Sequence, residues 1–449
     1  MSQDRCLMNF KGAVSIAKLA HKTLNVFNSK GTSMPGKVLS KVCPKFLSEV
    51  KNHVSGELFV VTGTNGKTTT SGILAQILKE AGRKVIYNSS GANMPNGIIT
   101  ALALGFDTED DIDNLVIESD EAYLKNILMQ LSFDYLILTN LFCDQTDRYS
   151  DPKVTASKIQ EAVSLINPNL KLIVNADDPN LDAIGEGREK VFYGLSSVEF
   201  YDSDINTAQS QVRCGSCSRV LDYGSRYYSQ LGLWSCACGR KRPKLDVSGK
   251  AKIFKDYSYL DVTYNDKNYV FKLKITGLYS VYNALAAISA ALAAGIGRKY
   301  ILKALDNYEP AFGREVRLKY KGKDITLYLV KNPAGANETL RKIEGAKDAV
   351  LLIAVNDQHA DGRDVSWLWD TKFEALAGFD NVIYLSGSRA DDVALRLKYA
   401  HFDTGSLVIN NDVKSALNEA LNSLEKDERL IILTSYTPLA TLQKILKQG

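Results

Sequence analysis

A chain of 449 residues is long for one hydrophobic core, so two or three domains are expected. Apolar residues make up 45% and charged residues 24%, the balance of an ordinary soluble globular protein. The net charge of +4 is spread along the chain rather than gathered into a block, which argues against nucleic acid as the main partner.

No run approaches the roughly 18 apolar residues of a transmembrane segment. The N-terminus carries acidic and polar residues where a signal peptide has its apolar stretch, so a cytoplasmic protein is expected. Phe10, Val14, Ile16, Ala17, Ala20, Leu24 and Phe27 recur at helical spacing. That face is expected to pack on the body of the protein rather than on a membrane.

From Leu58 the chain alternates short apolar runs with helical stretches. Strands are expected at 58–61, 84–87, 115–117, 135–138 and 172–174, with a helix over 68–81. This rhythm predicts a parallel sheet covered on both faces. It breaks near Val198, and residues 198 to about 272 read as β-rich. Helical periodicity returns over 282–294 and closes at Gly295. A linker is expected at 308–313, followed by a second α/β alternation with strands near 326–330, 349–355, 381–385 and 430–434. The domains expected are a helical extension (1–55), a central domain (56–312) with an insertion at 200–245, and a C-terminal domain (313–449).

Thr62-Gly63-Thr64-Asn65-Gly66-Lys67-Thr68-Thr69 lies between an expected strand and helix. Gly63 and Gly66 let the backbone approach phosphates, and successive N–H groups point inward at a helix start. Lys67 would reach the β- and γ-phosphates of ATP, and Thr68 would place its hydroxyl on Mg²⁺. The spacing differs from the usual GxxxxGK[ST], since Val61 stands five positions before Gly66.

Seven cysteines in a cytoplasmic chain are not a disulfide framework. Cys6, Cys43 and Cys143 are scattered. Cys214-x-x-Cys217 and Cys236-x-Cys238 form two close pairs eighteen residues apart. Four thiolates in that pattern suit tetrahedral Zn²⁺ in a ribbon. Such a site is structural, because no coordination position is left for water.

The TGTNGKT loop resembles that of Mur ligases and folylpolyglutamate synthetases, and further motifs follow in the same order. Glu118 and Glu121, after the strand at 115–117, stand where those families place a Mg²⁺-binding Glu. Either one could be the ligand. Residues 139–149 resemble the N-x-x-x-D-H-x-D-R-Y segment, with Gln145 in place of a metal-binding His. Lys158 matches the lysine that Mur ligases carbamylate; a surface helix lysine is the alternative reading. Asn283 falls in the expected adenine and interdomain region, and Arg314, in Gly313-Arg314-Glu315, matches the hinge Arg that approaches the nucleotide phosphates.

The C-terminal part departs from ordinary ligases. Lys331-Asn332-Pro333-Ala334-Gly335-Ala336-Asn337 replaces their D-Y-A-H-N-P-like segment, and an Asp-rich run spans 355–370. With the four-cysteine insertion, these segments resemble the MurT subunits of lipid II isoglutaminyl synthases. The fold so implied is a Mur ligase-like central domain with an inserted zinc ribbon and a smaller Rossmann-like α/β C-terminal domain. The resemblance implies amidation of the α-carboxyl of D-glutamate in the lipid II stem peptide, at the cytoplasmic face of the membrane. It also implies a GatD-like glutamine amidotransferase partner. One Asp of the 357–370 run would complete that partner's Cys–His pair; Asp357 is the first choice, as the acid nearest the strand end, with Asp361 and Asp364 behind it.

Two other readings compete. One is a stand-alone ligase that adds an amino acid; the lost D-Y-A-H-N-P segment and the cysteine insertion speak against it. The other is an inactive or nucleic-acid-binding scaffold; the intact loop and modest charge speak against that.

Overall fold

The computed structural model describes residues 9–26, 33–88, 92–106, 112–142, 152–200, 211–254, 257–275, 277–308, 315–358, 360–377, 379 and 381–446. It divides into two compact units, one built from residues up to Phe142 together with Pro152–Glu309, the other from Pro310 onward.

The first unit opens with α1 (Phe10–Val26), α2 (Met34–Val42) and α3 (Phe46–Val50). Next come β1 (Leu58–Thr62), α4 (Lys67–Glu80), β2 (Val85–Tyr87), α5 (Pro95–Gly105), β3 (Asn114–Glu118) and α6 (Leu124–Gln130). They are followed by β4 (Tyr135–Leu138), α7 (Pro152–Ser164), β5 (Lys171–Asn175), β6 (Lys190–Phe200), β7 (Asp222–Tyr228) and β8 (Leu231–Ser235). The unit closes with β9 (Val247–Ile253), β10 (Ser258–Tyr264), β11 (Lys267–Leu273), α8 (Leu278–Ala293) and α9 (Arg298–Asn307).

Nine strands form one sheet in the order β11-β10-β9-β6-β5-β4-β1-β3-β2. From β2 to β9 neighbours are parallel, and β10 and β11 continue it antiparallel. The central strands are continuous apolar runs because helices cover both of their faces; every residue of β1 and β3 is buried. Alanine-rich α8 is buried along nearly its whole length. The α1 face packs inward: Phe10 stacks on Phe46 at 5.0 Å and meets Phe106 edge-on at 5.2 Å. Cys43 is buried and disulfide-bonded, so the scattered cysteines are not all free thiols.

The strand–helix rhythm does break near Val198, and strands follow one another until α8. Among the described residues of this stretch, the β7–β8 hairpin stands apart from the main sheet, whereas β9, β10 and β11 extend it. Their period-two alternation is that of a sheet with one solvated face, as the burial of alternate β9 residues confirms.

The hairpin is held by the turn after β5. Trp234 Nε1 donates to the Ala176 carbonyl at 3.0 Å, and the Gly232 N–H donates to the Asp177 carbonyl at 3.1 Å. The Asp177 side chain is fully buried between three partners. It accepts from the Tyr282 hydroxyl at 2.7 Å and the Leu195 N–H at 2.8 Å, and pairs with Arg242 at 3.1 Å. Burial nevertheless pushes its carboxyl up to about 6, and does the same to its neighbour Asp178.

The second unit holds β12 (Glu315–Tyr320), β13 (Lys323–Leu329), α10 (Pro333–Ile343), β14 (Ala349–Ala354) and α11 (Trp367–Asp370). It continues with β15 (Ile383–Ser386), α12 (Ala390–Tyr399), β16 (Leu407–Ile409), α13 (Val413–Ser423), β17 (Arg429–Thr434) and α14 (Tyr436–Leu446). Its sheet runs β12-β13-β17-β14-β15-β16, parallel except for β12. One core lies under α10 and α12, the other under α13 and α14. Strands β12 and β16 were not expected. The first is a charged edge strand joined to β13 by a hairpin at Lys321 (φ 49°) and Gly322 (φ 77°), and the second is three residues long. Asn332 caps α10: its Oδ1 accepts from the Gly335 N–H at 2.9 Å, with Pro333 in the first turn.

Replacing Asp177 by Leu would strand the Arg242 guanidinium, the Tyr282 hydroxyl and the Leu195 N–H in a buried site. The expected cost is about 3–5 kcal/mol, the usual penalty for breaking a buried pair from one side. It is read as a lower urea midpoint; an unchanged midpoint contradicts the network's role.

Candidate active site

Strand β1 ends at Thr62 and α4 begins at Lys67, so four residues must turn the chain and leave the helix N-terminus open. Gly63 (φ 128°) and Gly66 (φ 89°) supply the left-handed backbone. Close approach also demands glycine: a Cβ at Gly63 would lie 2.2 Å from Thr139 Oγ1, and one at Gly66 2.0 Å from Asn283 Oδ1. Asn283, on α8, is buried against the loop, and its carbonyl accepts from Thr70 Oγ1 at 3.3 Å.

The end of β4 holds the loop from the other side. Asn140 accepts from the Asn65 N–H at 2.9 Å through Oδ1 and donates to the Asn65 carbonyl at 3.0 Å through Nδ2. Thr139 Oγ1 donates to the same carbonyl at 2.8 Å, and the Thr64 N–H donates to the Asn140 carbonyl at 2.8 Å. Thr139 and Asn140 are in turn fixed by the turn after β5. Asn175 Nδ2 donates to the Thr139 carbonyl at 2.9 Å, and Asp178 accepts from the Leu141 N–H at 2.7 Å.

Lys67 is buried, and its Nζ lies 2.5 Å from the Gly63 carbonyl and 3.2 Å from Glu121 Oε2. Glu121 is thus brought directly to the loop lysine. Glu118, at the end of β3, is also buried; Oε1 accepts from Asn93 Nδ2 at 3.2 Å, while Oε2 has no hydrogen-bond partner among the described residues. An orphaned carboxylate oxygen beside a phosphate loop fits a hard cation. Asn88 clamps this strand end by accepting from the Glu118 N–H at 2.7 Å and donating to its carbonyl at 2.8 Å. Thr62 is buried and donates to the Ser119 carbonyl; Thr68 and Thr69 are half-buried on the first turn of α4. Lys158 is exposed on α7. Arg314 and residues 143–149 lie outside the described residues. The sequence reading passed over Asn88 and the bracing by Thr139 and Asn140; only the presence of the latter two in a family-like segment could have signalled them.

The four clustered cysteines come together. Their Sγ atoms all lie within 4.8 Å of one another, with Cys214–Cys238 at 3.7 Å and Cys217–Cys236 at 3.5 Å. A tetrahedral ion bonded to sulfur at about 2.3 Å spaces its ligands about 3.8 Å apart, so the cluster fits a metal of that size. The Ser216 N–H and Arg240 Nη1 both donate to Cys214 Sγ at 3.4 Å, support suited to a thiolate.

In the second unit, the acids after β14 have different surroundings. Asp361 is buried and caps α14, accepting from the Thr437 N–H at 2.7 Å and Thr437 Oγ1 at 2.5 Å. Asp364 accepts from the Ser366 N–H at 2.8 Å. Asp357 is half-buried; Oδ1 accepts from Ser388 Oγ at 2.8 Å and Oδ2 pairs with Arg389 at 2.8 Å. The Ser388 hydroxyl, more than the opposing desolvation and ahead of Arg389, holds this carboxyl below the usual carboxylate range.

Comparison with known proteins fits this geometry. Residues 61–291 match the Mur ligase middle domain and residues 329–439 match the MurT ligase C-terminal domain. The chain is 31% identical over 441 residues to the MurT subunit of the glutamine-hydrolysing lipid II isoglutaminyl synthase of Staphylococcus aureus (strain COL), covering 97% of this chain and 98% of that one. It is 30% identical to the corresponding subunit of Streptococcus pneumoniae (strain ATCC BAA-255 / R6), covering 93% and 92%. In fold it is similar to a pseudomurein peptide ligase type C from Methanothermus fervidus, with a TM-score of 0.69 at 20% identity over 92% of this chain and 84% of that one. A MurF from Acinetobacter baumannii gives a TM-score of 0.65 at 15% identity over 90% and 80%. The chain therefore belongs to the Mur ligase family and, within it, to the MurT subunits.

Proposed function

We propose that this protein is the ligase subunit of a lipid II isoglutaminyl synthase, activating the α-carboxyl of D-glutamate in the stem peptide for amidation to D-isoglutamine. The observation that carries the reading is the union, in one chain, of a braced phosphate loop flanked by buried acids with a C-terminal domain of the MurT type. That C-terminal match favours amidation over the stand-alone addition of an amino acid.

A carboxylate resists attack by nitrogen because its leaving group would be oxide. Transfer of the γ-phosphoryl of ATP to a carboxylate oxygen gives an acyl phosphate. Ammonia then adds to the carbonyl carbon, phosphate departs with the original carboxylate oxygen, and a proton is lost from nitrogen. The N–H groups of residues 63–68 would cradle the phosphates at the start of α4. Lys67, exchanging Glu121 and loop carbonyls for phosphate oxygens, would offset charge during transfer, with Arg314 assisting from the hinge. Asn283 would border the adenine. Mg²⁺, which the Mur ligase family implies, neutralises phosphate charge, and Thr68 with Glu118 or Glu121 would hold it. Lys158, once carbamylated, would supply a further anionic ligand for the metal.

Free ammonia is scarce at neutral pH, so the nitrogen would come from glutamine through a GatD-like glutaminase. Asp357 would orient and charge-balance the histidine of that partner's Cys–His pair. Zn²⁺ on Cys214, Cys217, Cys236 and Cys238 would have a structural role. Among the described residues no helix is long and apolar enough to cross a membrane. In this reading lipid II would be met peripherally, at the cytoplasmic face.

Asp357→Asn is expected to abolish glutamine-dependent amidation of lipid II while sparing amidation driven by high ammonium, because an Asn holds position but cannot stabilise an imidazolium. Equal loss with both nitrogen sources would place Asp357 in the acceptor or nucleotide site instead. For the metal, elemental analysis of protein purified without chelator is expected to give one Zn²⁺ per chain. Cys236→Ser should lose the ion and lower thermal stability; loss of catalysis with full stability would refute a structural role.

A further inference from the structure

We propose that Ser388 and Arg389 are positioning residues for glutamine-dependent amidation, setting the orientation and the charge balance of the Asp357 carboxylate. The inference rests on the role given to Asp357 above and extends it to a turn distant in sequence.

The turn between β15 and α12 is clamped to the end of β14. The Val355 N–H donates to the Ser386 carbonyl at 3.0 Å, and the Arg389 N–H donates to the Val355 carbonyl at 3.0 Å. The Ser388 N–H donates to Asn356 Oδ1 at 2.8 Å, and Asn356 Nδ2 donates onward to Thr437 Oγ1 at 2.8 Å. Gly387 (φ 89°) permits the approach, since a Cβ there would lie 2.3 Å from the Val355 carbonyl oxygen. A backbone fixed this closely determines where the next two side chains go, and both reach Asp357.

They divide the carboxylate between them. Ser388 Oγ donates to Oδ1 and Arg389 Nη2 to Oδ2, each at 2.8 Å. Asp392 pairs with Arg389 Nη1 at 3.3 Å and steadies the guanidinium from its other side. An ionised carboxylate offers about four acceptor positions, so two remain for an incoming imidazole N–H. The side chain is 32% exposed, which leaves them reachable. The side-chain contacts of the neighbouring acids differ: Asp361 accepts from Thr437 and Asp364 from the Ser366 N–H. Among the described residues, the charged group paired with Asp357 is Arg389.

Each residue has a separable effect. Without the Ser388 hydroxyl the carboxylate keeps its charge but loses the bond that fixes its rotamer. Without the Arg389 charge an imidazolium held by Asp357 becomes easier to form. The histidine pKa then rises, and the acid limb of the glutamine reaction moves to higher pH. One charge at about 7 Å in a water-like medium corresponds to about half a pH unit.

The test uses the chain in complex with its glutaminase partner at saturating partner concentration, with lipid II and ATP, supplied with glutamine or with ammonium chloride. Ser388→Ala is expected to lower kcat with glutamine about tenfold, leave the ammonium-driven rate unchanged, and be largely rescued by Ser388→Thr. Arg389→Gln is expected to shift the acid limb of kcat/KM for glutamine upward by about half a unit, with the ammonium-driven profile unmoved. If Asp357→Asn abolishes the glutamine route while both neighbouring variants behave as wild type, the proposal is overturned and the role of Asp357 stands. If Asp357→Asn spares both routes, the role of Asp357 fails and the proposal falls with it. Equal losses with both nitrogen sources in Ser388→Ala and Arg389→Gln would mark these residues as merely structural and overturn the proposal.

Discussion

Three buried polar side chains at the end of β5 and in the turn after it hold the first unit's chemistry together. Asn175 fixes the Thr139 carbonyl, Asp178 fixes the Leu141 N–H, and Asp177 joins Tyr282 of α8, Leu195 of β6 and Arg242 beyond the cysteine hairpin. Residues 139 and 140 brace the phosphate loop, and Asn283, next to Tyr282, packs against Gly66. The loop therefore gets its shape from strands and a helix far away in sequence. A buried carboxylate is tolerated only when its partners are all in place, so this turn couples several elements into one arrangement. The hairpin grips the same turn through Trp234 and Gly232, which makes the cysteine cluster part of the scaffold beneath the nucleotide loop.

The two ends of the reaction make different electrostatic demands. Phosphoryl transfer needs fixed positive charge in a water-poor site, and Lys67 is buried with Glu121 and the loop carbonyls as its resting partners. Nucleotide phosphates would supply the same kind of oxygen, so binding as proposed would exchange partners instead of desolvating a bare ammonium. Glutamine hydrolysis on a partner needs an accessible, ionised acid, and Asp357 is half-exposed with its carboxyl held below the usual range. In the proposed scheme, burial and exposure would sort the acids by task.

Much of this was legible in the sequence for definite reasons. Buried parallel strands are unbroken apolar runs, so β1, β3, β4, β5, β14 and β17 could be read directly. The loop glycines and the four cysteines carry their chemistry in local spacing. Contacts between distant segments were not legible. Within the 357–370 run the sequence ranks the acids only by their distance from the strand end; Thr437, Ser366, Ser388 and Arg389 give each its own surroundings in the folded chain. Residues 198–272 read only as β-rich, because an edge of the main sheet and a separate hairpin share the same alternating pattern. Asn88 gave no sequence signal, since its two bonds to Glu118 exist only when β2 and β3 are side by side.

The central claim is that a carboxylate becomes an acyl phosphate at this loop before nitrogen attacks. The most direct measurement is oxygen transfer, using lipid II labelled with oxygen-18 in the α-carboxylate of D-glutamate, ATP and a nitrogen source. Mass analysis of the released phosphate should find one carboxylate-derived oxygen-18 for each amide formed, and Lys67→Ala should release none. Amidated product accompanied by phosphate free of the label would contradict the account.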